Sequence, residues 1–509
     1  MAIIQAGSAT PASTLVAGVY VGIVAPPTLL QGAPTNVLGF VGVGSWGPVG
    51  MPVTFGDPSG AVASFGPVTN RTHDLATAAT VAALQGATAF RAVRVTDGTD
   101  AAATFALPAA TLSEAAAFWA AVAAALNTGS GVLRGQSNLI RFNATSGEFS
   151  ALYTGVVGDG VTVSVSQGSK TGTFRVVVSL SGSQPEVYDN IAAAAGALPT
   201  AASYALAGGA DGAAGVTSAM LVGADVAPRT GLYALRGQGC AATTLVDMTD
   251  PTQFAVLIPF AQAEGAEVYV SGVASETIAS AAANKSGAGI DDYSVHVMLG
   301  DWLYWSDTAN GVIRLVSPAV VAAAKRVALA PNDSILNTPL GGIVGSQKSG
   351  TVGSGALVGY SSAEIEELVI AGIDVVGNPS PGGSYWSCLV GHNSSSDASR
   401  HSDSYTQMTN FLARTINSGM GTYVGKPNSL PTLNACRATL LALLSTAQSA
   451  GLIGDDDGSV PYSVVCDRTN NPDGNRALGI TQADVRVRYQ GITERLFVNL
   501  QGGASVTVG

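Results

Sequence analysis

No charged residue precedes Asp57 in this sequence. Within that uncharged stretch, residues 1–12 are small and polar and show no helical or strand period. Thr14–Val24 (TLVAGVYVGIV) then reads as an extended strand rich in Val and Ile, ended by Pro26 and Pro27. It is apolar on both faces and has no local partner strand of matching type. A bare strand of that kind invites aggregation, so it must pair with something. Two partners are open: a strand of the same chain, or the sheet edge of a neighbouring subunit.

The closing residues pose the same problem. Ala483–Tyr489 (ADVRVRY) and Thr493–Leu500 (TERLFVNL) alternate as strands, joined at Gln490-Gly491, and the run from Gly502 to Gly509 is uncharged. Both ends are therefore expected to be strand-forming arms. The candidate assembly residues are Val16, Val19, Tyr20, Val21 and Ile23 at one end, and Leu496, Phe497, Val498 and Leu500 at the other.

Between the arms the pattern is α/β. Val37–Val43 reads as a buried strand, Thr72–Gln85 as an Ala-rich helix with Asp74 near its start, and Ala89–Thr96 as a strand. From Thr243 the alternation resumes, with short strands at Thr244–Met248 and Glu267–Val270 and helices at Pro251–Glu264 and Ser275–Asn284. Ser317-Pro318 predicts a cap with Pro at the first helical position. Ser361 with Glu364 predicts a capping box, closed by Gly372. Further helices are expected over Tyr405–Ile416 and Asn434–Ala447. Residues 100–212 differ: a helix at Ser113–Leu126, then strands within Leu152–Val165 and at Phe174–Leu180, then the Gly-rich closure Gly208–Gly212. The expected class is a multidomain α+β or α/β chain. Its parts are an arm (1–24), a core (25–99 and 213–360), an inserted β-rich domain (100–212), a C-terminal domain (361–490) and a second arm (491–509).

Composition fits burial against other protein. Charged residues make up 11% of the 509 residues, where about 25% is usual, and Gly is 63. A low-charge surface is poorly solvated alone, although a general richness in Gly and Ala gives the same figures. The net charge of −11, without a basic stripe, argues against nucleic acid. The longest apolar run, Ala115–Leu126, is too short for a membrane span. The first basic residue is Arg71, so no signal peptide is expected.

Reactive motifs fail on inspection. Gly42–Gly47 matches G-x-G-x-x-G, but Pro48, Gly50 and Pro52 follow where a phosphate-binding helix must start. Cys240, Cys388, Cys436 and Cys466 form no C-x-x-C pair. They read as buried thiols or, alternatively, as inter-subunit cross-links. Among the four histidines, only His401 has a close acid, Asp403, placed where a helix cap is expected. Asp455–Asp457 lacks the ligand spacing of a calcium loop. Asn70 and Asn143 fit the glycosylation pattern without an expected export signal. No catalytic, cofactor-binding or metal-binding residue is assigned, and the chain is not expected to be an enzyme.

In order along the chain stand Ala17-Gly18-Val19-Tyr20-Val21, Gly39–Gly42, Trp46–Val49 and Phe65-Gly66; Tyr153–Gly160, closed by Gly208–Gly212; Ser317-Pro318 and Asn337–Leu340; and the C-terminal run through Tyr462–Asp467. In that order they resemble tail sheath proteins of contractile-tailed bacteriophages. Two positions depart from the family pattern: Ala17, where Pro is usual, and the Cys388–Asn393 stretch.

The resemblance implies an α/β sheath core and a protomer of stacked hexameric rings around a tail tube. The terminal arms would add strands to neighbours. Contraction would drive the tube through the host envelope for genome ejection, without a nucleotide or other cofactor. The partners implied are further copies of the chain, the tube protein, and baseplate and tail terminator proteins, in a virion made in the host cytoplasm. Neither nucleic acid binding nor membrane insertion is implied. A contractile bacteriocin or secretion-system sheath is the nearest alternative. An S-layer or adhesin subunit and an α/β enzyme are more distant ones.

Overall fold

The computed structural model describes residues 2–5, 20–23, 30, 32–130, 135–192, 202–351, 358–379, 384–454, 458–498 and 500. These fall into two compact units, Pro34–Gln407, and Met1–Ala33 with Met408–Gly509.

The first unit is organised by a six-stranded sheet. Its strands are β1 (Val37–Gly42), β2 (Pro52–Phe55), β3 (Ala89–Arg94), β4 (Ala242–Leu245), β5 (Glu267–Ser271) and β6 (Val295–Met298). Their order is β6-β5-β4-β1-β3-β2, parallel except for β2. A parallel sheet needs cover on both faces, which is why β1, β4, β5 and β6 are buried throughout. The pleat of β1 sends Leu38 and Phe40 to one core and Val37 and Val41 to the other. Helices α1 (Leu75–Leu84) and α2 (Pro318–Ala328) share the core of Leu38 and Phe40, and α3 (Ser362–Ala371) contributes Leu368 to the other.

Local signals set these helices. The Asp74 carboxylate accepts from Thr77 N, Ser317 caps α2 ahead of Pro318, and Ser361 and Glu364 form a reciprocal capping box. The Pro251–Glu264 segment is not one helix. It makes two 3-10 turns before a short helix at Ile258–Glu264, with Pro259 in its first turn, where the N–H that proline lacks is not needed but a continuous helix would have used it.

The G-x-G-x-x-G stretch leads into no helix; the chain turns back to β2 instead. Its glycines allow close approach of backbones. A Cβ on Gly47, where φ is +89°, would lie 2.1 Å from Ser64 O.

Between β3 and β4, residues 100–212 carry two antiparallel sheets. One orders Ala102–Ala106, Glu148–Thr154 and Ile140–Asn143. The other orders Glu186–Ala192, Thr173–Ser179, Thr162–Gln167 and Ala202–Ala205. Their shared core is aromatic, with Trp119 buried against Phe142 and Phe149, whose rings stack at 4.2 Å.

A polar junction roots this region on the main sheet. Arg94, at the end of β3, is buried and donates to Gly47 O (2.9 Å), Thr154 O (2.7 Å) and Asp211 O (3.1 Å). Burial lowers its pKa to about 10, still well above neutral. The Asp211 carboxylate takes Arg71 Nη1 at 2.5 Å and Val156 N at 2.8 Å. Trp46 meets Tyr153 edge-on at 5.3 Å.

The second unit packs helices α4 (Asp403–Met420) and α5 (Leu430–Ser449) with the antiparallel pair β7 (Tyr462–Val465) and β8 (Asp484–Val487). Met408, Leu412, Leu440, Leu444 and Val464 form its core. Asn471 is buried and pins the β7–β8 connection, accepting from Gln482 N at 2.6 Å. The division between the units falls inside α4: Gln407 bonds Glu267 whereas Met408 joins the second core.

Replacing Asp211 with Ala removes a charge-assisted partner of Arg71 and a carboxylate acceptor of Val156 N. It should cost about 2 kcal/mol, read as a lower urea midpoint, and should speed proteolysis within residues 100–212 while the rest of the chain stays resistant.

Candidate functional site: uncharged strand ends and a buried charge centre

Tyr20–Ile23 forms a strand, and its partner lies in the same chain: it pairs in parallel with Ala2–Gln5, from Ala2 opposite Tyr20 to Gln5 opposite Ile23. The expectation that residues 1–12 hold no strand, and that the segment has no local partner, is corrected here. The intervening residues 6–19 are long enough for the crossover a parallel pair needs. Tyr20, Val21 and Ile23 belong to this strand, while Val16 and Val19 lie outside the described residues. The two strands form a sheet of their own, with no third strand among the described residues. Among the described residues no strand pairs with either outer edge of this ribbon, the kind of edge that accepts a further strand. Downstream, the chain runs along α4. Ala33 N donates to Thr415 Oγ1 at 2.9 Å, and a Cβ on Gly419 would collide with Leu30.

At the other end, β8 does not turn at Gln490-Gly491 to pair with Thr493–Leu500. It pairs with β7, because β7 already offers Val464, which packs with Val485 and Val487 on the second core. The described residues from Gly491 onward form no strand. Leu496, Phe497, Val498 and Leu500 are 81%, 84%, 76% and 91% exposed. Among the described residues no strand edge pairs with this alternating stretch. Four large apolar side chains are thus left open to solvent on one short stretch.

The main sheet also holds a buried charge centre that the sequence reading passed over. His296 on β6 lies with Nδ1 3.2 Å from Glu267 and Nε2 3.1 Å from Asp374, and its ring stacks on Tyr269 at 4.6 Å. All three charged groups are fully buried. Glu267 also accepts from Tyr269 OH (3.1 Å) and Gln407 Nε2 (2.9 Å). Asp374 also accepts from the N–H groups of Val375, Val390 and Gly391. With a carboxylate on each side, both ring nitrogens donate, so the ring is an imidazolium. Burial disfavours that charge, but the two carboxylates outweigh it and raise the His296 pKa to about 10.

A second buried pair, Arg326 with Asp403 at 3.0 Å, ties α2 to the start of α4. Asp403 also accepts from Ser334 Oγ and Ile335 N, and Arg326 binds the carbonyls of Ala330 and Asp333. Asp403, placed by the sequence where a helix cap is expected, is the first residue of α4 and carries the ion pair with Arg326. The overlooked signal was Val-His-Val-Met at 295–298: a titratable residue within a fully buried strand must bring its own partners.

All four cysteines are buried, and none is in a disulfide within the described chain. Asp455–Asp457 lie outside the described residues.

Compared with solved structures, the chain is similar to the helical sheath of the anti-feeding prophage (AFP) in its contracted state. The TM-score is 0.56 at 12% identity, covering 97% of this chain and 100% of that one. It is similar to the sheath of the PVC extracellular contractile injection system, also contracted, with TM-score 0.54 and 12% identity over 96% and 98%. A sheath tail protein from Listeria innocua gives 0.55 and 12% over 87% and 90%. No family model matches the sequence, and no curated protein matches it. The fold is that of the contractile tail sheath proteins.

The raised His296 pKa fixes the direction of a pH dependence. A group held above its unfolded pKa stabilises fully below about 6.5, and that stability is lost as the pH rises through about 10. The melting temperature should therefore fall between neutral pH and pH about 10.5. His296→Ala leaves two buried carboxylates without their cation and should cost about 3–5 kcal/mol at neutral pH. Differential scanning calorimetry across the pH range checks both.

Proposed function

We propose that this chain is a structural protomer of a contractile sheath. In this reading it polymerises as stacked hexameric rings around a tube, and contraction drives the tube through a cell envelope. The observation that carries the proposal is the exposed strand-forming stretch around Leu496–Leu500, on a chain whose fold is that of sheath subunits. The donated-strand role is assigned to Leu496, Phe497, Val498 and Leu500 at one end and to Val16, Val19, Tyr20, Val21 and Ile23 at the other. Main-chain hydrogen bonds would supply the affinity and alternate side chains the register. Head-to-tail contacts of this sort build open helical polymers. The work is done by repacking of subunits, a structural role without a reaction.

The tube protein, a baseplate and a terminator are the proposed partners. The order of sequence motifs favours a bacteriophage tail and a place in the virion. The likeness to AFP and PVC sheaths favours a second reading, an extracellular injection particle. Genome neighbourhood separates the two: capsid and terminase genes accompany only the first.

Negative-stain microscopy of the purified chain should show tubes with a wide lumen or rings of six. Leu496→Asp or Val498→Asp would bury a charge in any donated strand, at a cost of several kcal/mol, and should leave monomers or short oligomers with an unchanged melting temperature. Deletion of residues 1–24 should likewise abolish regular tubes. Full-length tubes from these variants would refute strand donation.

A further inference from the structure

A cavity of about 430 Å³ opens at the carboxyl ends of β5 and β6. Its floor is apolar, from Ile278 and Leu299. Its polar lining includes Glu276, Asp301, Lys348, Tyr360, Glu364 and Glu367. Four of these six are acidic and one is basic, and the basic one is already engaged. Lys348 Nζ is paired with Glu364 and sits 4.4 Å over the Tyr360 ring. Asp301 is satisfied by Tyr360 OH at 2.8 Å and Lys348 N at 2.9 Å.

Two carboxylates remain without a cation among the described residues. Glu276 is half-buried and accepts from Asn284 Nδ2 (2.8 Å) and Gly300 N (3.4 Å). Burial raises its pKa. Glu367, also in the lining, is exposed and has no hydrogen-bond or ion-pair partner among the described residues. A cavity with Ile278 and Leu299 in its lining and two carboxylates that no cation neutralises suits a guanidinium group, whose stem packs on apolar surface and whose edge donates to both oxygens of a carboxylate.

The sequence supplies such a group on the proposed arm. Residues 34–407 hold 27 acidic and 15 basic residues, whereas 408–509 hold seven and eight. On β8, Arg486 stands exposed opposite the face that packs Val485 and Val487 inward. Arg488 follows on that outer face, and Arg495 immediately precedes the exposed Leu496. The basic stretch and the apolar stretch would travel together.

We infer that this cavity is the docking site for an arginine from the C-terminal stretch, residues 486–495, of a second copy of the chain. The inference rests on the polymer reading above and adds to strand donation a polar contact that sets where the donated stretch is anchored. The contact is charge-dependent, so it selects the neighbour's register, which main-chain pairing alone leaves free to slip.

The test is a charge exchange in the full-length chain. Glu367→Lys leaves the capping box untouched. It should raise the protein concentration needed for tube formation about tenfold, equivalent to about 1.4 kcal/mol, with an unchanged melting temperature. Arg486→Glu, Arg488→Glu and Arg495→Glu are then each combined with Glu367→Lys. Recovery of the wild-type assembly concentration by one combination identifies the docked arginine. Recovery by none overturns the inference, as does unaltered assembly of Glu367→Lys. A lowered melting temperature of Glu367→Lys alone would place its partner within the same chain and also overturn it. A wild-type chain that forms no tubes or rings would instead sink the sheath reading beneath it, an outcome the exchange cannot mimic.

Discussion

The parallel sheet of the larger unit is buried on both faces, and that constraint governs the placement of its charges. Water cannot reach His296, Glu267 or Asp374, so each can be kept only by the others. Because Asp374 also collects the N–H groups of Val375, Val390 and Gly391, the loop around residues 388–394 is held to β6 through one carboxylate. Glu267 draws in Gln407 from α4 in the same way. Arg326 and Asp403 repeat the device between α2 and α4. A low-charge chain has thus placed several of its scarce charges where they specify which segments meet. Apolar packing alone would leave that choice less sharply defined.

The junction at Arg94 and Asp211 extends the same logic to residues 100–212. Several glycine and aromatic positions that carry the likeness to sheath proteins meet there. Trp46 lies against Tyr153, and a Cβ on Gly155 would strike Ser45 O. These residues hold one part of the chain on another. That explains why a glycine pattern resembling a nucleotide fingerprint is followed by a turn: its glycines are needed for backbone contact with Ser64 and Phe65.

What could be read from the sequence was what is local. The Ser317-Pro318 cap, the Ser361–Glu364 box and the stop at Gly372 are each fixed within a few residues, and the structure has all of them. The alternation of β8 was visible, but its partner was not, since the choice of β7 over Thr493–Leu500 depends on a core formed with α4 and α5. The pairing of Ala2–Gln5 with Tyr20–Ile23 was hidden for the same reason, as a four-residue strand of ordinary composition declares itself only beside its partner. The buried histidine was legible in principle, but its two carboxylates lie 29 and 78 positions away, beyond any local pattern.

The uncharged character of the two ends has a consequence for where such a protein can work. No Asp, Glu, His, Lys or Arg side chain lies before Asp57 or after Arg495. Pairing through those segments would depend on peptide groups and apolar contact, both indifferent to acidity and little weakened by salt. The peptide and apolar part of such joints would persist as acidity and salt change, leaving the proposed arginine contact as the part that the medium can tune.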